Sequence, residues 1–283
     1  MIELSSGDTA LSLAPDAGGS IAAFRWRGID IMRPADPAAV AANDPLGMSA
    51  FPLVPYSNRI AHGRFRWEGR DIALPLNFGN HPHSIHGLGW QAPWAVEATT
   101  ATSAVLRYDH LSGDWPWDFA ATQHFTVSDT GLDYALTVTN LSEQPMPAGL
   151  GLHPYFPNPP ETRLRVGLDG WWHTDAFVMP LAHVAEVRDD WSDKLRPVVV
   201  TDNVFSGLGG PIRLDWPTHA LTITASANAG WLVVYAPGDD SVTAIEAVTH
   251  PTDALNTPGL HGIRVLPQGE TMTLTQSYRV AAV

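Results

Sequence analysis

Apolar and polar residues alternate one by one along much of this chain, and that period constrains the fold more than any other feature of the sequence. In GLDYALTVTN, Leu132, Tyr134, Leu136 and Val138 fall on one side, while Asp133, Thr137 and Thr139 fall on the other. Successive side chains of an extended strand point to opposite faces, so the segment reads as a half-buried strand. LTITAS repeats the pattern with Leu221 and Ile223, and TMTLTQSYRV does so with Met272 and Leu274. SIAAFRW, RFRW, AVLRY, ATQHFTV, WLVVYA and TAIEAV are further strand candidates. Turn signals separate them, among them Ser6-Gly7-Asp8, Asp129-Thr130-Gly131, Leu208-Gly209-Gly210-Pro211 and Gly238-Asp239-Asp240. The best helical stretch, DPAAVAAND at 36–44, is short. No linker, repeat or low-complexity tract divides the chain. The expectation is one all-β domain over residues 1–283, a large antiparallel β-sandwich with few short helices.

Composition agrees with this and excludes several functions. Charged residues make up 16% of the chain, against roughly 25% in typical soluble domains. Glycine and proline number 24 each, which suits many short strands joined by turns. A net charge of −13 argues against nucleic acid and anionic membranes as partners, because both need a positive face. The absence of cysteine removes disulfides, thiolate metal sites and cysteine nucleophiles together. The start, MIELSSGDTA, has neither a basic n-region nor an apolar run of secretory length, and no transmembrane span is found. The expectation is a cytoplasmic protein.

Four places break the alternation and concentrate polar groups. In TAIEAV, Glu246 stands between Ile245 and Ala247 in an apolar run. Either one face of that strand is wet, or the carboxyl is desolvated and its pKa raised, as proton transfer near neutral pH requires. In GLGLHPYFP, Pro154 biases His153 towards an extended conformation. That makes it either a satisfied histidine at a pocket rim or a rigidly aimed acid or base. Asn58 and Arg59 follow an apolar run and read as a surface loop or as ligand-binding groups. NHPHSIHGLGW holds His81, His83 and His86, open to a zinc site, a hydrogen-bonding ligand site or a structural loop. Eleven tryptophans, including Trp115, Trp117, Trp171 and Trp172, offer flat platforms for a sugar ring or simply fill the core.

Taken in order, several of these pieces resemble the aldose 1-epimerase (galactose mutarotase) family. They are Asn58-Arg59-Ile60 with Gly63-Arg64-Phe65, then His86-Gly87 with Trp94, then His153-Pro154-Tyr155-Phe156 and Asp202-Asn203-Val204-Phe205. Glu246 leading to Pro251-Thr252-Asp253-Ala254-Leu255-Asn256 follows, and Leu266-Pro267-Gln268-Gly269-Glu270-Thr271 closes the series. The resemblance implies a β-supersandwich and a cofactor-free, metal-free interconversion of the α and β anomers of a free aldose. By position it implies Glu246 as the base, His153 as the acid, and His86, Arg59, Asn58 and Asp202 as sugar-binding groups. The protein is expected as a monomer or homodimer whose partner is a small sugar. Two departures bear on which sugar: Gly-Leu precedes His153 and Pro154 follows it, where many members have Asn-His-Thr-Tyr-Phe, and the His86 loop lacks the usual double glycine. The competing readings are a glycosidase with Glu246 and Asp202 as its carboxylates, which leaves His153 idle, and a non-catalytic carbohydrate-binding protein.

Overall fold

The alternating segments form strands with the expected faces. In the computed structural model, which describes residues 1–238 and 241–283, GLDYALTVTN is the strand Gly131–Asn140, with Leu132, Tyr134, Leu136 and Val138 buried and Asp133 exposed. SIAAFRW and RFRW are the strands Ser20–Trp26 and Arg64–Trp67. The turn expected at Gly238-Asp239-Asp240 lies partly outside the described residues. Among the described residues, eighteen strands join in one hydrogen-bonded system, accompanied by three two-stranded ribbons. Pairing between strands is antiparallel throughout the described residues. The fold is therefore all-β, built of large antiparallel sheets.

DPAAVAAND supplies the one α-helix among the described residues, Pro37–Ala42. The Asp36 side chain accepts from the Ala38 N–H at its start, Pro37 stands in its first turn, and Asn43 ends it in the left-handed conformation. No helix among the described residues is long and apolar enough to cross a membrane.

A run of five neighbouring strands carries the site: Thr201–Ser206, Trp231–Ala236, Val242–Val248, Gly151–Pro157 and Ala50–Leu53. Register aligns their side chains in rungs. Asp202 opposes Tyr235, Tyr235 opposes Ala244, and Ala244 opposes Tyr155. One rung further, Val204 opposes Val233 and Val233 opposes Glu246, while His153 opposes Phe51. Continuing the pairing of Tyr155 with Ala244 by two residues sets His153 beside Glu246. Because side chains repeat every second residue, both rungs face the same way.

The strand Gly151–Pro157 changes neighbours midway. Gly151 to Pro154 pair with Ala50–Leu53, and Tyr155 to Pro157 pair with Val242–Val248. His153 thus lies inside a strand at the point of transfer, not at a strand end. Pro154, which lacks an N–H, sits where one partner gives way to the next.

The tryptophans are mostly core. Trp115, Trp117 and Trp191 are fully buried in the main cluster with Phe119, Phe205 and Tyr278. A second apolar cluster of Phe51, Ile85, Trp90, Tyr155, Val204 and Val233 lies on the site-bearing face.

Candidate active site

All six residues singled out from the sequence, Asn58, Arg59, His86, His153, Asp202 and Glu246, line one cavity of about 190 Å³. Its walls also include Phe51, Trp90, Tyr155, Val233 and Tyr235. The strand rungs form the floor, and two loops lie over it.

Glu246 is 1% exposed, which answers the question its position raised. Ile245 and Ala247 enter the main core while Glu246 faces the second cluster, so neither face of the strand is wet. Its Oε1 lies 3.3 Å from His153 Nε2, and its Oε2 is buried with no hydrogen-bond partner among the described residues. Burial pushes the Glu246 carboxyl well above its ordinary value of 4.5, the negative Asp202 adds to this, and Arg59 opposes it. His153 moves the other way. Burial pulls its imidazole down from 6.5 to about 3, with the positive Arg33 and Arg59 contributing. The ring stacks on Phe51 at 4.6 Å, lies 4.7 Å from the Tyr155 ring and meets His86 edge-on at 5.4 Å. Burial thus drives both groups to their neutral forms, leaving one titratable proton beyond the imidazole N–H, held on the carboxyl side.

The loops arise from local backbone choices. Asn58 and His86 both adopt positive φ, +57° and +62°, and Gly87 follows at +72°. Asparagine and histidine are among the non-glycine residues best suited to that region. The two turns hold each other: the His86 N–H donates to the Asn58 carbonyl at 2.9 Å, and the Asn58 N–H donates to His86 Nδ1 at 3.1 Å. With Nδ1 accepting, a neutral His86 carries its proton on Nε2. Burial first, then the proximity of His153 and Arg59, keeps His86 well below its ordinary pKa, so it remains a neutral donor.

Arg59 is clamped at both ends of its guanidinium. One NH2 group donates to Asn58 Oδ1 at 3.0 Å and the other to Asp202 Oδ2 at 2.8 Å. Asn58 Oδ1 also accepts from the Arg59 backbone N–H at 2.9 Å, so Asn58 acts first as the holder of Arg59. A third support comes from the loop after the Glu246 strand. Asp253, at φ +58°, accepts from the Ala61 N–H at 2.9 Å while its own N–H donates to the Arg59 carbonyl at 2.9 Å. Arg59 is not an exposed loop arginine. It is 9% exposed, with a paired anion beside it.

The remaining histidines of the sequence cluster stay apart from this centre. His83 Nδ1 accepts from the His62 N–H at 2.9 Å, and His81 Nδ1 accepts from the His83 N–H at 3.2 Å, which fits a loop held by its own imidazoles. Among the described residues no group of three or more His, Cys, Asp or Glu side chains is arranged to hold a metal ion. His250, which the sequence reading passed over, is buried beneath the Asn58 loop. Its Nε2 accepts from the Ser57 N–H at 3.0 Å, and burial lowers its pKa to about 4. Phe51 and Tyr235 carry no local signal, since an aromatic in an apolar run looks like core, and Tyr155 stood out only as part of the His153-Pro154-Tyr155-Phe156 motif, with no role assigned to it. The available signal was parity: Tyr155 is two residues from His153, and Tyr235 two from Val233.

A large antiparallel β-protein with a carboxyl–imidazole pair on the floor of a sheet-face cavity is the class of molecule that this fold and site define. The chain belongs to the aldose 1-epimerase family, whose model matches residues 1–279. The uncharacterized Escherichia coli (strain K12) protein YphB is 31% identical over 291 residues, covering 98% of this chain and 97% of its own. Among solved structures, a candidate aldose 1-epimerase from Escherichia coli K12 superposes with a TM-score of 0.90 at 26% identity, covering 99% of this chain and 98% of that one. A galactose mutarotase-like protein from Clostridium acetobutylicum gives 0.86 at 19% identity, with coverage of 99% and 95%. The galactose mutarotase-like fold expected from the sequence motifs is the fold of this chain.

Proposed function

We propose that the protein is an aldose 1-epimerase that interconverts the α and β anomers of a free aldose by acid–base ring opening and reclosure. The observation that carries this reading is the buried Glu246–His153 pair, 3.3 Å apart and shifted in opposite directions. Anomer exchange needs a group to take the proton of the C1 hydroxyl and another to give one to the ring oxygen. In the reactive form Glu246 is a carboxylate and His153 an imidazolium. Glu246 takes the hydroxyl proton, the freed electron pair makes C1=O, and the C1–O5 bond breaks. Its electron pair on O5 takes the proton from His153. C1 turns about the C1–C2 bond, and the transfers reverse on the other face.

Burial supplies a physical reason for this division of roles. Ring opening turns a carboxylate and an imidazolium into a carboxylic acid and an imidazole, the distribution that desolvation favours at both groups. The open-chain intermediate is therefore met by a relaxed protein, while charge separation is confined to the closed-ring state. His86, with its proton on Nε2, is suited to donate to a sugar oxygen. The Arg59–Asp202 pair offers a donor and an acceptor to neighbouring hydroxyls. The cavity of about 190 Å³ is below the roughly 300–1,000 Å³ of drug-sized sites, which suits a single sugar ring.

The test is polarimetry on freshly dissolved α-D-glucose, α-D-galactose, L-arabinose and D-xylose, with and without protein. Faster decay of rotation to the same equilibrium value supports the reading. Binding without acceleration for every free aldose would reduce the protein to a carbohydrate-binding role.

A further inference from the structure

Two consecutive backbone N–H groups in the turn that carries Asn58 and Arg59 end on imidazoles. The Asn58 N–H donates to His86 Nδ1 at 3.1 Å, and the Ser57 N–H donates to His250 Nε2 at 3.0 Å. His86 lines the cavity, whereas His250 lies beneath the turn. We propose that His250 is a positioning residue of the active site. It fixes the turn of Asn58 and Arg59 against the strand that carries Glu246, and thereby sets the sugar-binding groups relative to the base. The inference rests on the mutarotase reading and deepens it.

Around His250 the three segments that build the site meet. His250 lies two residues beyond the strand Val242–Val248, which carries Glu246. Its neighbour Thr249 is tied to Leu150, which leads into the His153 strand, Gly151–Pro157. The Thr249 N–H donates to the Leu150 carbonyl at 3.0 Å, and the Leu150 N–H donates to Thr249 Oγ1 at 2.8 Å. Gly149, one residue earlier, donates its N–H to the Pro55 carbonyl at 2.7 Å, at the start of the turn. His250 closes this junction through its bond from Ser57.

The residues around the ring fit this role. Gly149 packs on the imidazole, and a methyl group there would collide with His250 Cδ2 and Nε2, so the glycine makes room for the ring. At the ring's other nitrogen, Nδ1 donates to the Pro251 carbonyl at 2.8 Å, which leaves Nε2 as the acceptor of a neutral imidazole. Burial lowers the pKa of His250 to about 4, which keeps that acceptor unprotonated at neutral pH. Ser57 is fully buried, and an N–H without a partner there is costly. With the imidazole acceptor removed, that N–H draws the turn towards another partner or water, and Asn58 and Arg59 move with it.

The experiment compares wild type with His250→Asn, His250→Gln and Gly149→Ala by polarimetry, on whichever of D-glucose, D-galactose, L-arabinose and D-xylose is turned over fastest. Asparagine can still reach the Pro251 carbonyl but leaves Ser57 without its acceptor, whereas the glutamine Oε1 stands near the place of Nε2. Asn58 and Arg59 hold the sugar in ground and transition states alike, so their displacement should appear in KM. His250→Asn should raise KM by about three- to tenfold, the scale of one hydrogen bond, with kcat nearly unchanged. Gly149→Ala, which displaces the ring, should do the same, and His250→Gln should bring KM back near the wild-type value. A purely structural role is read separately, because loss of folded protein lowers the apparent kcat at unchanged KM. KM unchanged in His250→Asn, or raised equally in His250→Asn and His250→Gln, overturns the inference and leaves the mutarotase reading intact. Should His250→Asn fail to fold, the same KM criterion applies to Gly149→Ala. If no aldose is turned over, the mutarotase reading fails by itself and calorimetry with D-galactose decides the role of His250. Binding weakened by His250→Asn and restored by His250→Gln upholds it; absent or unaltered binding overturns it.

Discussion

Folding moves one proton from an imidazole to a carboxyl, and substitution of either group should expose this as a pH-dependence of stability. Between pH 4.5 and 6.5, the ordinary values of Glu246 and His153, the unfolded chain carries a charged imidazolium and a carboxylate at these positions. The folded chain carries a neutral imidazole, with its pKa near 3, and a carboxylic acid raised well above 4.5. Each state binds one titrating proton, so the pair contributes no slope to stability in this window. In Glu246→Gln the unfolded state binds one proton more than the folded state, through His153, and stability rises with pH relative to wild type. In His153→Asn the folded state binds one more, through Glu246, and stability falls with pH relative to wild type. Each slope approaches about 1.4 kcal/mol per pH unit inside the window and flattens at the edge where the unfolded group is half titrated, hence about 2 kcal/mol across the two units, with opposite signs. His250, with its pKa lowered to about 4, adds a common rise with pH that cancels when each variant is compared with wild type at the same pH. Urea unfolding at half-unit intervals from pH 4.5 to 6.5 measures the three profiles. Profiles that run parallel would refute the neutral-pair assignment, whatever the activity.

Other consequences of the structure are open to direct measurement. Asp202→Asn removes the charged acceptor that holds Arg59 at 2.8 Å, and should raise KM for the aldose by about tenfold or more, read from initial polarimetric rates. Gly87→Ala should lower thermal stability by several degrees, because its φ is +72° and the added methyl would run into the Val54 carbonyl; an unchanged melting temperature would count against the turn that aims His86. Activity should survive exhaustive dialysis against EDTA, whereas loss restored by zinc would return a metal role to His81, His83 and His86.

Much of this was legible in the sequence, for reasons that differ between residues. The strand Gly131–Asn140 could be read from alternation because one of its faces is buried and the other wet. Glu246 stood out because a carboxyl in an apolar run has few inexpensive explanations, and its burial at 1% exposure makes it the unusual one. His153 was legible as a residue of interest but not in its setting. Its strand passes from Ala50–Leu53 to Val242–Val248 at that point, and a change of partner is a tertiary fact with no local signature. Arg59 looked like an exposed loop residue because its three supports, Asn58, Asp202 and the Asp253 loop, come together only on folding. The tryptophans left two readings open, sugar platforms or core, and the structure mostly takes the second: Trp115, Trp117 and Trp191 are core, and Trp90 alone of the eleven lines the cavity.

The central claim is that Glu246 and His153 exchange anomers by proton transfer, and two-dimensional NMR exchange spectroscopy on D-glucose labelled at C1, or on the aldose most active in polarimetry, tests it at equilibrium. With catalytic wild-type protein, cross-peaks should link the α and β C1 resonances at mixing times where buffer alone gives none. The account predicts that Glu246→Gln and His153→Asn each lower that exchange rate by about 10²-fold or more, the usual scale of an acid–base contribution. Wild-type exchange no faster than buffer, or variants that exchange as fast as wild type, would contradict it.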